Sequence, residues 1–198
     1  MRLEGKGIGW RYGNGPWLFS DYDIAIQPGE SVGLIGPSGS GKTSLGRLLA
    51  GYEKPLTGEV SVPGRSPNHT GYDPVQMIFQ HPERAVNPRW SMARTLTEGW
   101  SPDAPLLDAL GIKDDWLRRY PNELSGGELQ RCCIARALGP NTKFLIADEM
   151  TTMLDAVTQA QIWHTVLEIA SKRQIGLLVI SHDHLLVNRI CSRIIPFG

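Results

Sequence analysis

Apolar and polar positions alternate along the chain in short strand-like runs, broken by one long and several short stretches of helical period. Leu18–Ile26, after a Gly/Asn/Pro turn, and Ser31–Ile35, after Pro28-Gly29, read as strands. A Gly-rich loop follows, then a helical stretch over Lys42–Ala50 and strands over Thr57–Val62 and Val75–Phe79. Between about His81 and Gly139 the pattern turns helix-like, at Met92–Gly99, Pro105–Leu110 and Gly127–Leu138, with more Pro and Trp. From Lys143 the alternation resumes: strand Phe144–Ala147, helix Ala156–Arg173, strand Gly176–Ile180, helix His184–Cys191 and strand Arg193–Phe197. In the long helix Trp163, Val166, Leu167 and Ala170 fall on one face, the period of a helix packed on a sheet. This layout predicts an α/β fold whose core, over 1–80 and 140–198, is split by a mostly helical insertion over 81–139.

Composition narrows the class. The 198 residues suit one domain, and 20 Lys+Arg against 20 Asp+Glu give a net charge of zero. That balance argues against a generally basic nucleic-acid binder. Cys132, Cys133 and Cys191 have no metal-finger spacing and are expected to be reduced thiols, the first two packing on a helix. The start, Met1-Arg-Leu-Glu-Gly-Lys-Gly, has no apolar leader core, and no apolar run approaches the roughly 20 residues that cross a bilayer. A secreted or membrane-spanning chain is therefore not expected.

Gly36-Pro37-Ser38-Gly39-Ser40-Gly41-Lys42-Thr43 fits G-x-x-x-x-G-K-[ST], after an apolar strand and opening a helix. Glycines let backbone N–H groups turn toward phosphate oxygens, and the helix adds its positive end. Lys42 is placed to reach the β- and γ-phosphates, Thr43 to ligate Mg²⁺, and Ser44 extends the loop. Phe144–Ala147 then delivers Asp148 and Glu149 at a strand's C-terminal edge, where open α/β sheets bind ligands. Asp148 suits the Mg²⁺ hydration shell; Glu149 suits a base that orients and deprotonates water attacking the γ-phosphate. The expected ligands are a nucleoside triphosphate and Mg²⁺.

Leu124-Ser125-Gly126-Gly127-Glu128 resembles the LSGGQ signature of ATP-binding-cassette (ABC) ATPases, about twenty residues before the Asp-Glu strand. The resemblance implies an ABC cassette: a phosphate-loop ATPase core with an N-terminal antiparallel β part and a helical signature subdomain over 81–139. It implies that Leu124, Ser125, Gly126, Gly127 and Glu128 grip ATP held by an opposite subunit. It further implies that Gln80 is the glutamine sensing Mg²⁺ and the attacking water, that Asp155 lies in the loop linking two active sites, and that His182 is the switch histidine on the γ-phosphate. Tyr12, thirty residues before Lys42, stands where the family stacks an aromatic on adenine, with Trp10 and Trp17 beside it.

Gln80-His-Pro-Glu-Arg-Ala-Val-Asn87-Pro88 and Leu129-Gln-Arg-Cys-Cys-Ile-Ala-Arg-Ala-Leu138 are similar to stretches of the peptide and nickel importers. That resemblance implies a second ABC ATPase subunit, identical or different, two transmembrane permease subunits and, indirectly, a solute-binding protein. It places the chain peripherally on the cytoplasmic face of a bacterial inner membrane, with the segment after Gln80 docking a membrane subunit and no nucleic-acid partner. Met150 replaces the family's usual proline, Glu128 its usual glutamine, and Thr-Met-Leu-Asp155 its usual Ser-Ala-Leu-Asp. The chain ends sixteen residues after His182, so the extension of many peptide importers is expected to be absent.

Two other classes share part of this pattern. A soluble ABC ATPase acting on nucleic acid or ribosomes has the same motifs, and a phosphate-loop kinase accounts for Lys42 and Asp148 but not for Ser125–Glu128 or His182. His182-x-His184 has metal-ligand spacing but too few ligands for a site. His69, His81 and His164 are expected at the surface or in packing. Trp90, Trp100 and Trp116 either fill the helical segment's core or line a groove for a partner helix.

Overall fold

The computed structural model describes residues 2–62, 64–65 and 71–198, so His69 lies outside the described residues. Strands β1 (Leu3–Trp10), β2 (Phe19–Ile26) and β4 (Thr57–Ser61) form an antiparallel sheet in the order β2-β1-β4. Strands β3 (Ser31–Ile35), β5 (Val75–Ile78), β6 (Phe144–Asp148), β7 (Gly176–Ile180) and β8 (Arg193–Pro196) form a parallel sheet in the order β5-β6-β7-β3-β8. All five residues of both β6 and β7 are buried, as in strands covered on both faces.

The two-residue period of a strand decides which side each apolar residue serves. Phe144, Ile146, Leu178 and Ile180 point to one core, shared with Leu3, Ile8, Ile24 and Ile26 of the antiparallel sheet and with Leu45 and Leu49. The last two lie on α1 (Lys42–Ala50). Leu145, Ala147, Leu177 and Val179 point to the other core. There they meet Ile162, Trp163 and Val166 of α5 (Ala156–Arg173) and Ile134 and Leu138 at the end of α4 (Gly126–Ala137). The same core takes in Met92 and Leu96 of α2 (Met92–Leu96), Leu106 of α3 (Ala104–Ala109) and Trp116. Helix α6 (His184–Ile190) covers it at Val187.

Several expected bounds move. Strand β1 was not anticipated: Gly5, Gly7 and Gly9 interrupt its alternation, and its pairing with β2 shifts register twice. Helix α2 stops at Leu96, short of Gly99, where the Thr97 hydroxyl turns back to the Ala93 carbonyl at 2.9 Å. Helix α4 starts one residue early, because Ser125 is its cap. Short 3₁₀ turns over Pro82–Arg84, Asp114–Arg118 and Pro121–Glu123 were not foreseen. Trp116 fills core, Trp100 packs against it while its Nε1 donates to the Arg136 carbonyl at 2.8 Å, and Trp90 carries the Arg94 guanidinium over its ring. Cys132 and Cys133 are buried, their thiols pushed up to about 12 and about 11 chiefly by desolvation, so neither is a ready nucleophile. No helix among the described residues is long and apolar enough to cross a membrane.

At the end of β3 the chain runs so close to β8 that a β-carbon on Gly36 would collide with the Phe197 carbonyl oxygen. Backbone cannot step aside as a side chain can. Gly36→Ala is expected to lower unfolding free energy by about 2 kcal/mol or more, measured by urea denaturation.

Candidate functional site

The loop from Gly36 to Gly41 joins β3 to α1 and curls over its own lysine. The Lys42 ammonium donates to the carbonyl oxygens of Gly36 at 2.8 Å and Pro37 at 2.7 Å, and the residue is only 7% exposed. Among the described residues it has no ion-pair partner. Helix α1 has Gly41 as its cap, with φ 102°, no side-chain cap and no acid in its first turn. Its positive end is thus left uncompensated beside a buried cation, the arrangement that favours an anion. Ser38, Gly39 and Ser40 complete the turn, and the Ser40 hydroxyl is buried without a partner among the described residues. The Tyr12 hydroxyl lies 2.8 Å from the Ser44 hydroxyl while the residue is 59% exposed, which leaves an aromatic surface beside the loop.

Parallel order brings three further loops to the same edge, since β5, β6 and β7 are neighbours whose C-terminal ends align. Asp148 ends β6, is buried, and accepts from the Thr43 hydroxyl at 3.2 Å. Glu149 follows in the left-handed region at φ 47°, with its N–H donating to the Ile180 carbonyl at 2.9 Å. Its carboxylate is held from both sides. Gln80 Nε2 donates to Oε2 at 3.1 Å, and His182 Nδ1 lies 3.1 Å from Oε1. The Thr152 hydroxyl donates to the Glu149 carbonyl at 2.9 Å.

The remaining expected residues lie apart from this cluster. Ser125 caps α4 reciprocally with Glu128: the Glu128 N–H donates to Ser125 Oγ at 3.3 Å, and the Ser125 N–H donates to Glu128 Oε2 at 2.8 Å. No hydrogen bond joins residues 124–128 to the phosphate loop or to Glu149 among the described residues. Leu124 packs against the helical core, Gly126 opens α4, and Gly127 faces Leu154. Asp155 caps α5, accepting from the N–H groups of Val157 and Thr158. Hydrogen bonding from the Thr158 side chain first, and then from those backbone N–H groups, holds its carboxyl below the usual range.

The donor set at Thr43 and Asp148 fits Mg²⁺. Both offer hard oxygens, Asp148 is buried with its carboxyl pushed up mainly by desolvation, and Gln80 brings an amide to the same edge. Two residues with contacts to this machinery were not singled out from the sequence, Thr152 and Gln130. Gln130 had a readable signal, a polar residue on the stripe that Ile134 and Leu138 bury.

A phosphate loop after β3, an acidic pair where β6 ends at the same sheet edge and a capped Ser-Gly-Gly helix on the same chain define an ATP-binding cassette. Residues 19–152 match the family model described as ABC transporter. The chain is 34% identical to the nickel import ATP-binding protein NikE of Pseudomonas putida, over 95% of this chain and 79% of that protein. It is 35% identical to the protein of that name from Rhodospirillum rubrum, over 90% and 71%. The fold is that of the ATP-binding cassette MJ0796 in a dimeric post-hydrolysis state bound to ADP and Pi, with TM-score 0.81, 24% identity, and 99% of this chain and 94% of that one covered. It superposes also on an ABC transporter ATP-binding subunit, with TM-score 0.84, 20% identity, and 100% and 86% covered. The chain belongs to the ABC transporter family, as one of its ATP-hydrolysing subunits.

Desolvation, opposed by the Thr43 hydroxyl, raises the Asp148 carboxyl above its unfolded value. Below the unfolded value Asp148 is neutral in both states and costs nothing. As pH rises through the raised native value, the folded chain must carry a buried charge, and stability falls. Asp148→Asn is therefore expected to be at least as stable as wild type at neutral pH without nucleotide, and to flatten the decline above the acid range. Urea denaturation across pH 4–8 measures this.

Proposed function

We propose that this chain powers a membrane importer of nickel, by closing with a second ATPase subunit over two ATP molecules. The observation that carries the hydrolytic part is the Glu149 carboxylate, held between Gln80 and His182 one residue beyond Asp148. The importer and its cargo are supported by the nickel import relatives, which align over nearly the whole chain.

The residues divide the work by position. Backbone N–H groups of Gly36–Thr43 and the α1 end surround the phosphates, with Lys42 exchanging a backbone carbonyl for phosphate oxygen. Ser44 turns toward the same phosphates, and Tyr12 stacks on the base. Thr43, Asp148 and Gln80 would hold Mg²⁺, which would offset negative charge on the phosphates. Glu149 takes a proton from the attacking water, whose orientation Gln80 fixes from one side and His182 from the other. Ser125 and the Gly126 and Gly127 N–H groups at the head of α4 point to ATP on the second subunit, and Asp155 lies between the two sites. Closure is driven by contacts with ATP that exist only in the closed pair. Residues 81–139 swing with it and carry the permease subunits, while the solute-binding protein delivers cargo from the far side of the membrane.

Glu149→Gln keeps the shape and both flanking contacts but removes the base. It is expected to bind ATP as wild type does and to lose steady-state hydrolysis by about a hundredfold or more. Near-wild-type turnover would contradict the role. Ser125→Arg fills the head of α4, so it should weaken ATP-dependent association more than ATP binding by one subunit. Equal losses would mean that the loop serves its own chain. The importer assembly is tested by capturing Glu149→Gln with ATP and Mg²⁺ from detergent-solubilised native membranes: two permeases and a second ATPase support the importer, ribosomal or DNA-associated proteins contradict it.

A further inference from the structure

Gln130 is a buried polar side chain on an otherwise apolar stripe. It lies on α4 one turn beyond the Ser125–Glu128 cap, on the stripe continued by Ile134 and Leu138, and it is 3% exposed. Its Nε2 donates to the Phe79 carbonyl oxygen at 3.2 Å. Its Oε1 is buried and finds no partner among the described residues. The amide cannot be turned round, because the reversed group would set oxygen against oxygen. A half-satisfied amide in a core is destabilising relative to an apolar side chain of like size, so stability does not account for this residue.

What Gln130 holds does account for it. Phe79 is the single residue between β5 and Gln80, and its carbonyl sets the direction in which the chain leaves the strand. One residue on, Gln80 Nε2 meets Glu149 Oε2. We propose that Gln130 is a positioning residue, through which helix α4 sets Gln80 against Glu149. The inference rests on the function proposed above. Ser125 stands at the head of the same helix, five residues before Gln130. When ATP held by the second subunit draws on that head, α4 moves as a rigid body and carries the Phe79 carbonyl with it. The loop that reads the neighbour's ATP is thereby tied to the base that cleaves this chain's own.

Gln130→Met keeps the buried stripe filled without polar atoms, and the loss of the orphan oxygen offsets the lost bond. The expected result is a kcat about tenfold lower, with KM for ATP changed less than about twofold and Tm within roughly 2 °C of wild type. A residue that merely filled space would not separate kcat from Tm. Gln130→Leu is measured beside it, so the result does not depend on how methionine packs. Because Gln130 acts through Gln80, the pair Gln80→Ala and Gln130→Met should be no slower than Gln80→Ala alone, read by single-turnover hydrolysis. Wild-type kcat in both Gln130 variants, losses that multiply in the pair, or a fall in Tm that accompanies the fall in kcat in both, would each overturn the inference. All rates are read in the assembly with its partner ATPase and permeases. A wild-type assembly without ATPase activity would overturn the proposed function, and this inference with it; an active wild-type assembly with unaffected variants would overturn the inference alone.

Discussion

The buried ammonium of Lys42 is the constraint on which the rest of the site depends. A cation withdrawn from water and given two carbonyl oxygens but, among the described residues, no ion-pair partner in contact, with the Asp148 carboxylate acting on it only through space, is under-compensated. The carbonyls hold the phosphate loop in shape, and they leave the charge to be completed by an anion. The uncapped end of α1 adds to the same demand. A loop shaped in this way is organised before its ligand arrives, so little ordering cost falls on binding.

The sheet order does for the proposed catalysis what Lys42 does for the proposed phosphate binding. Gln80, Glu149 and His182 are far apart in sequence, yet each leaves one of three adjacent parallel strands at the same edge. Glu149 is further fixed by its left-handed backbone and by the Ile180 carbonyl, so its carboxylate has few alternatives to the position between its two neighbours. That rigidity is bought with strain, and the buried Asp148 beside it adds an electrostatic cost. Both are the kind of local sacrifice found where function, rather than stability, sets the residue.

Much of this was legible because its signals are local. The phosphate loop, α1 and α5 keep their expected bounds, α5 because Asp155 caps it and an apolar stripe runs its length. Strands β6 and β7 were readable as apolar runs. Strand β1 was not, since its glycines hide the alternation and its pairing partners define it. The placing of β5 beside β6 was equally beyond local pattern, because the two are separated by the whole helical insertion. For the same reason the line from Gln130 to Phe79 is absent from sequence: a helix and a strand end fifty-one positions apart must first be packed together.

The account's central claim is that a preformed loop around an under-compensated Lys42 is the ATP site. Calorimetric titration of the nucleotide-free chain with ATP and Mg²⁺, for wild type and for Lys42→Met, tests it most directly. The account predicts one ATP bound per wild-type chain and an affinity at least about tenfold lower in the variant, as expected when a charge-assisted phosphate contact is lost. Equal affinities, or no binding by wild type, would contradict it.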